Sequence, residues 1–483
     1  MGEQSRNDTT IELIRGLREG SVSRRDFILK GSLLGLSLGS LGAVLSACGS
    51  AGSTTTTAAA PATTAGVATT AGVATTATTG AAAKAAYLIN MPQDTKNEYW
   101  QFWSRGAEDA AKQLGMKVDT IPYESDPNKQ VATIEAAAAK GANCFITTAP
   151  SITPIKTLAK LANDRQMYYF GIWDNQPWFT VFDSGQYYAG YSIPDDFKDA
   201  YLSAKSLMDA MGGKGTLVFI AGWKGSSADQ MRSMGFFAAA AEFPDIKVVG
   251  GDPGQWSRGP AEKIMRDYLV KYPKFEGVYN QNDDQGIGAL KAVEESGRVA
   301  GKDVLFASVD GISETLKAIA QGKILNTVWV FGPFQTGFAV ARLFDMIQGV
   351  AFDPAERFVH TGSVFIDKSN ADKYLSAVYD AASLPWDFTL MSRFLHPDDW
   401  DYQNDVWPIN PIDLWTKFPN DVPKPSGYTF PAEITAAADS GKFDEIAKLY
   451  ASHYKKKWDG DYRKSVLEMT QGKEATPGSK EKL

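Results

Sequence analysis

The chain has 483 residues, which at roughly 100–200 residues per domain predicts two to four domains rather than one compact core. Hydrophobic residues make up 44% and charged residues 22%, excluding wholesale disorder, and a formal net charge of −7 offers no electrostatic footprint for nucleic acid. Three histidines and two cysteines are too few for a zinc cluster, a disulfide scaffold or a Ser-His-Asp engine, so no metal, no cofactor and no enzyme is expected.

The first predicted element is an address. Ser23-Arg24-Arg25-Asp26-Phe27 is a twin-arginine pattern, followed by an uncharged Leu/Gly-rich stretch over 31–47 that is too short and Gly-interrupted for a permanent span. Residues 1–47 therefore read as a signal peptide. Its end, Leu45-Ser46-Ala47-Cys48-Gly49, resembles the lipobox of bacterial lipoproteins, which makes Cys48 the lipidated first residue of the mature chain. A thiolate is the nucleophile such a modification needs, and several acyl chains anchor where one is marginal. Gly35-Leu36-Ser37-Leu38-Gly39 matches a nucleophile elbow but has no strand before it. Residues 48–84 then form a Thr/Ala/Gly tether, too poor in large apolar groups to repay ordering, with a reach of about 30–36 Å.

From Ala86 short apolar runs alternate with helical stretches, the signature of βαβ units. Strands are predicted at 86–90, 117–122, 144–148 and 168–173, separated by helices at 98–114, 127–140 and 153–164. The alternation restarts with a helix at 195–211 and strands at 216–220, 246–250, 277–280 and 304–309, with helices between them. A strand at 324–330, a helix at 334–349 and a strand near 364–366 read as returns of the chain. The fold class is thus α/β, with two doubly wound Rossmann-like lobes. Cys144, in mid-strand, reads as a buried thiol.

Open α/β sheets bind ligands beyond the carboxyl ends of their strands. Asn97, Tyr99 and Trp100 follow the first predicted strand, and Trp173-Asp174-Asn175 follow the fourth. In the second half Trp223 and Arg232 follow one strand, Trp256 precedes a helix, and Asn282-Asp283 and Asp310-Gly311 follow two others. Together they describe a polar, aromatic-walled cleft for a polyhydroxylated ligand: carboxylates accept from neighbouring hydroxyls, Arg and Asn donate, and indole covers ring C–H faces. Each residue also has a structural alternative, since Asp and Asn at strand ends commonly cap the next helix.

These residues carry a resemblance. Asn97-Glu98-Tyr99-Trp100, Trp173-Asp174-Asn175, Gly225-Ser226-Ser227-Ala228 with Arg232, Gln255-Trp256, Gln281-Asn282-Asp283, Val309-Asp310-Gly311 and Thr361-Gly362 make the body similar to the type 1 periplasmic sugar-binding proteins, the ribose-binding-like family that serves ATP-binding-cassette importers. The resemblance implies two lobes, 85–193 plus 331–360 and 194–330 plus 361–384, joined by three crossovers and closing on one sugar. It implies that Asn97 touches the ligand, that Tyr99, Trp100 and Trp256 sandwich its ring, and that Asp174, Asn175, Arg232, Asn282 and Asp310 stand at its hydroxyls. Asn175 departs from the Arg that is frequent there, and Trp329-Val330-Phe331 replaces a usual Gln, which leaves the ligand open. The implied partners are a sugar-like ligand and a membrane permease, for a monomeric receptor at the outer face of the bacterial cytoplasmic membrane.

An aromatic insertion at 178–191 is expected to rim the cleft, and an extension at 385–483, with a helical segment near 431–457, is expected to pack across a lobe. Two other outputs fit the same residues. One is a ligand-sensing receptor for a signalling partner, taking an autoinducer-like or nucleoside ligand. The other is a glycosidase using Asp174 and Asp310 as facing carboxylates, although it would lack a histidine base.

Overall fold

A computed structural model describes residues 83–149, 151–417 and 422–455. The leader, Cys48, nearly all of the tether and the tail beyond 455 lie outside the described residues.

The chain begins with β1 (Tyr87–Met91), α1 (Glu98–Gln113), β2 (Lys117–Thr120), α2 (Pro127–Ala139), β3 (Cys144–Thr147), α3 (Ile155–Arg165), β4 (Tyr168–Ile172) and β5 (Tyr188–Pro194). The middle runs α4 (Asp196–Ala210), β6 (Lys214–Ala221), α5 (Ser227–Ala240), β7 (Asp245–Pro253), α6 (Arg258–Lys271), β8 (Gly277–Asn280), α7 (Asp283–Glu295), β9 (Leu305–Asp310), α8 (Ser313–Ala320) and β10 (Asn326–Trp329). Then come α9 (Gly332–Gln348), β11 (Phe358–Thr361), β12 (Val364–Asp367), α10 (Ala371–Tyr374), β13 (Val406–Pro408), α11 (Pro411–Lys417), α12 (Ala432–Asp439) and α13 (Lys442–Ser452).

Strands covered on both faces read as short unbroken apolar runs, and every residue of β1, β3 and β5 is buried. Helices begin where the sequence supplies a cap: Asn97 Oδ1 accepts from Tyr99 N at 2.8 Å, and Ser226 Oγ accepts from Asp229 N at 3.1 Å. Seven strands form one sheet in the order β13-β11-β5-β4-β3-β1-β2, and six form the other, β12-β10-β9-β8-β6-β7. Neighbours are parallel except β13 against β11 and β12 against β10. The result is two doubly wound α/β lobes. In the first, α9 crosses α1 so closely that a Cβ on Gly106 would stand 2.1 Å from Pro333 O.

The chain leaves the first sheet after β5, returns at Val330-Phe331, and crosses again at Gly362-Ser363 between β11 and β12. A further tie follows. Tyr379 meets Phe102 of α1 at 4.4 Å between ring centroids, Arg105 donates to Ala381 O at 3.2 Å, and Trp386 packs on Phe331 and Phe334. The extension then belongs to the first lobe. β13 lies along β11, Gly362 N donates to Asp405 O at 2.8 Å, and Trp407 covers His360.

A buried polar cluster fastens it. Arg342 of α9 donates to the hydroxyls of Tyr402 and Tyr450 at 2.9 and 3.0 Å, while Arg393 reaches Glu356 Oε1 at 2.6 Å. Asp345 accepts from Ser392 Oγ at 2.5 Å and Arg393 N at 2.8 Å.

Two expectations need correction. The 178–191 stretch is not a cleft rim: Trp178 is buried, donates to Val422 O at 2.7 Å and meets Trp415, Tyr428 and Phe430 of the extension. Its last residues open β5, a central strand whose Tyr-Ala-Gly-Tyr sequence has little local strand signal and is held by neighbours on both sides. The expected helix at 431–457 is two helices, broken where Gly441 takes φ +72°. Among the described residues no helix is long and apolar enough to cross a membrane.

Removing one member of a buried charged network strands the others. Arg342→Leu is expected to cost about 3–5 kcal/mol, read as a lowered urea midpoint at unchanged slope.

Candidate functional site

The carboxyl ends of strands from both sheets face one another across a cavity of about 340 Å³. Asn97, Tyr99, Trp100 and Asp174 line it from the first lobe, and Arg232, Trp256, Asn282 and Asp310 line it from the second. Strand-end geometry aims several of them: Trp173, Trp256 and Asp310 take φ of +74°, +54° and +133°, conformations that non-glycine residues hold only when their surroundings impose them.

The centre is Arg232, 2% exposed. Its Nε pairs with Asp196 Oδ1 at 2.7 Å, and its Nη1 donates to Gln281 O at 2.6 Å and Asp310 Oδ1 at 3.1 Å. The guanidinium lies 5.3 Å from the Trp173 ring centroid and 5.5 Å from that of Trp256. Burial opposes its charge, but Asp196 and Asp310 more than offset this and hold its pKa above the ordinary value.

Two buried carboxylates, Asp196 and Asp310, share that one cation, and a third, Asp174, is buried near Asp196. Burial pushes Asp174 up to about 7, although Ser227 N donates to it at 2.8 Å, and pushes Asp310 up to about 8 against the pull of Arg232. Burial also raises Asp196. Burial thus works against the charged form of each carboxyl, and hydroxyl donors from a ligand would favour it.

The aromatic walls are braced from behind. The Tyr99 hydroxyl accepts from Trp173 Nε1 at 2.9 Å and donates to Gln335 Oε1 at 3.2 Å, leaving its ring to face the cavity. Asn97 caps α1 and also bonds the Asp284 carboxylate across the cleft. Asn282 caps α7 through Gln285 N at 3.0 Å.

Bonds between the lobes close both sides. On one side Asn97 meets Asp284, and Glu98 accepts from Ser313 N at 3.1 Å and Ser313 Oγ at 2.5 Å; on the other, Ser227 meets Asp174. This is the closed arrangement of the two lobes.

Asn175 is not part of the cavity wall. Its Oδ1 accepts from Tyr188 OH at 2.9 Å and its Nδ2 donates to Phe179 O at 2.8 Å, because the shorter amide is captured by the β5 tyrosine behind it. Asp283 is also structural, gathering Thr327 Oγ1 at 2.8 Å, Gly311 N at 2.6 Å and Ile312 N at 2.9 Å under the Asp310 turn.

Sequence reasoning missed Asp196 and Asp284, and saw Trp173 without giving it a role. Asp196 looks like an ordinary acidic first-turn residue, and its partner lies 36 residues away. Among the described residues no group of acidic, His or Cys side chains has the makings of a metal site.

The model of the periplasmic binding protein domain matches residues 88–350, more than half of the chain. The D-allose-binding periplasmic protein of Escherichia coli is 27% identical over 256 residues, 52% of this chain and 81% of that protein. The xylitol-binding protein of Mycolicibacterium smegmatis is 34% identical over 169 residues, which cover 34% of this chain and only about half, 48%, of that relative's length. A periplasmic solute-binding protein of an ABC transporter from Actinobacillus succinogenes, solved with bound D-allose, superposes with a TM-score of 0.56 at 26% identity over 60% of this chain and 100% of that one.

Carboxyls with raised folded-state pKa bind more protons than the unfolded chain does between about pH 4 and 8, so their contribution to stability falls as pH rises through that window. Asp174→Asn should therefore be more stable than wild type at pH 8, by roughly 1–3 kcal/mol, and equal to it at pH 4. Urea midpoints at the two pH values check this.

Proposed function

Because the chain belongs to the periplasmic binding protein domain family, we propose that it captures a small polyhydroxylated ligand, a monosaccharide, and delivers it to the permease of an ATP-binding-cassette importer. The family's members are solute-binding proteins and not enzymes, and the relatives named above bind D-allose or xylitol. The observation that carries the reading is the buried Arg232, Asp310 and Asp174 cluster, walled by Tyr99, Trp100 and Trp256 and contributed by both lobes. In this reading the carboxylates accept from ligand hydroxyls, the guanidinium orients Asp310 and donates to a ligand oxygen, and the rings cover apolar sugar faces.

The lobes, 85–193 plus 331–360 and 194–330 plus 361–384, close when one ligand bonds to both, which shifts the population toward the closed form that a permease recognises. The twin-arginine leader and Cys48 support export by that route and a lipid anchor at the outer face of the cytoplasmic membrane, with 48–84 as the tether of a monomeric head.

Trp256→Ala and Asp174→Ala are each expected to lower affinity at least 100-fold at unchanged fold. Isothermal titration of the full-length protein with D-allose, D-ribose and xylitol checks this, and unchanged affinity in both variants would overturn the site. Cys48→Ser should move the protein from the membrane fraction to the soluble fraction; continued membrane retention would overturn the lipid anchor.

A further inference from the structure

The residues assigned above leave part of the cavity unused. At about 30 Å³ per water, 340 Å³ is the space of roughly eleven waters, and one six-carbon sugar displaces only about half of it. The same continuous cavity is lined by Gln93, Ser125, Thr148, Ala149 and Trp223, none of which has a part in the Arg232 cluster. Asp174 and Asp310 follow β4 and β9, next to the hinge strands β5 and β10, whereas Ser125 and Thr148 follow β2 and β3, and β6 leads first to Trp223 and then to Arg232.

Trp223 is the unusual member. It is 37% exposed, more than any other tryptophan among the described residues, and its side chain makes no hydrogen bond or ring contact among them. It also extends a wall already in use: a Cβ on Gly222 would lie 2.1 Å from the Trp256 ring, so that ring rests directly on the backbone beside Trp223. Across the cavity, Glu124 and Ser125 take consecutive left-handed turns, φ +55° and +58°, which bring the Ser125 loop to the opposite side.

Resting on the reading of this cleft as a sugar site, we propose that Trp223 and the Ser125 loop form a second subsite, toward the mouth, for a ring attached to the sugar. The preferred ligand is then a glycoside or disaccharide, whose second ring stacks on the Trp223 indole while the first occupies the Arg232 cluster.

Titration calorimetry of the full-length protein tests this with free D-allose, D-ribose and D-galactose and with the methyl and phenyl glycosides of each. For a sugar that binds, the phenyl glycoside is expected to bind at least tenfold tighter than the methyl glycoside. In Trp223→Ala that ratio should fall to within threefold of one, and in Trp223→Phe it should be largely kept. Equal affinities in wild type, a ratio that survives in Trp223→Ala, or free sugars that bind while their glycosides do not would each overturn the second subsite and leave the sugar site standing. Failure of every free sugar and glycoside to bind would overturn the sugar site and the subsite with it. The wild-type ratio decides the question by itself should either variant fail to fold.

Discussion

A single buried cation organises the cleft. Taking a guanidinium out of water is costly unless carboxylates meet it, and Arg232 is met by Asp196 from the start of α4 and by Asp310 from the end of β9. Those partners fix where α5 lies against the first crossover and how the Asp310 turn presents its side chain. With Asp174 brought close from the other lobe, acceptors outnumber cations, so the cleft is short of donors. A ligand rich in hydroxyls supplies what the protein withholds, and only in the closed arrangement does it meet both lobes at once.

Closure needs a hinge that bends without losing register. Here the hinge region carries more than the crossovers between the two sheets. Trp386 packs against Phe331 at the second, Asp405 bonds Gly362 at the third, and β13 runs beside β11. The C-terminal extension therefore packs directly on the strands at the crossovers, and the Arg342, Glu356 and Arg393 cluster fastens it to the first lobe. Most aromatic residues of the extension serve that packing, as does the Trp178 insertion, which leaves the cleft to Tyr99, Trp100, Trp173, Trp223 and Trp256.

Polar groups at strand ends have divided roles for the same reason. Asn97 and Asn282 cap helices through their side-chain oxygens and still border the cavity, because a cap at a strand-helix turn stands where the two lobes meet. Asp283 and Asn175, one residue from cavity-lining neighbours, point the other way and hold the backbone beneath them.

The sequence by itself determined the α/β class, the alternation of strands and helices, the restart of the pattern that makes two lobes, and the strand-end residues of the cleft. These follow from hydrophobic period and from the rule that such sheets bind at their carboxyl ends, both readable within a window of a few residues. The proposed export and lipid anchor rest on the sequence alone, on the twin-arginine pattern and the run ending at Cys48, since such signals are linear. Only the tertiary structure decided that β5 is a central strand, that Asn175 turns to Tyr188 and away from the cavity, that Asp196 pairs with Arg232, and that the insertion serves the extension. Each of these depends on a partner distant in the chain, and no local pattern records which buried donor meets which acceptor.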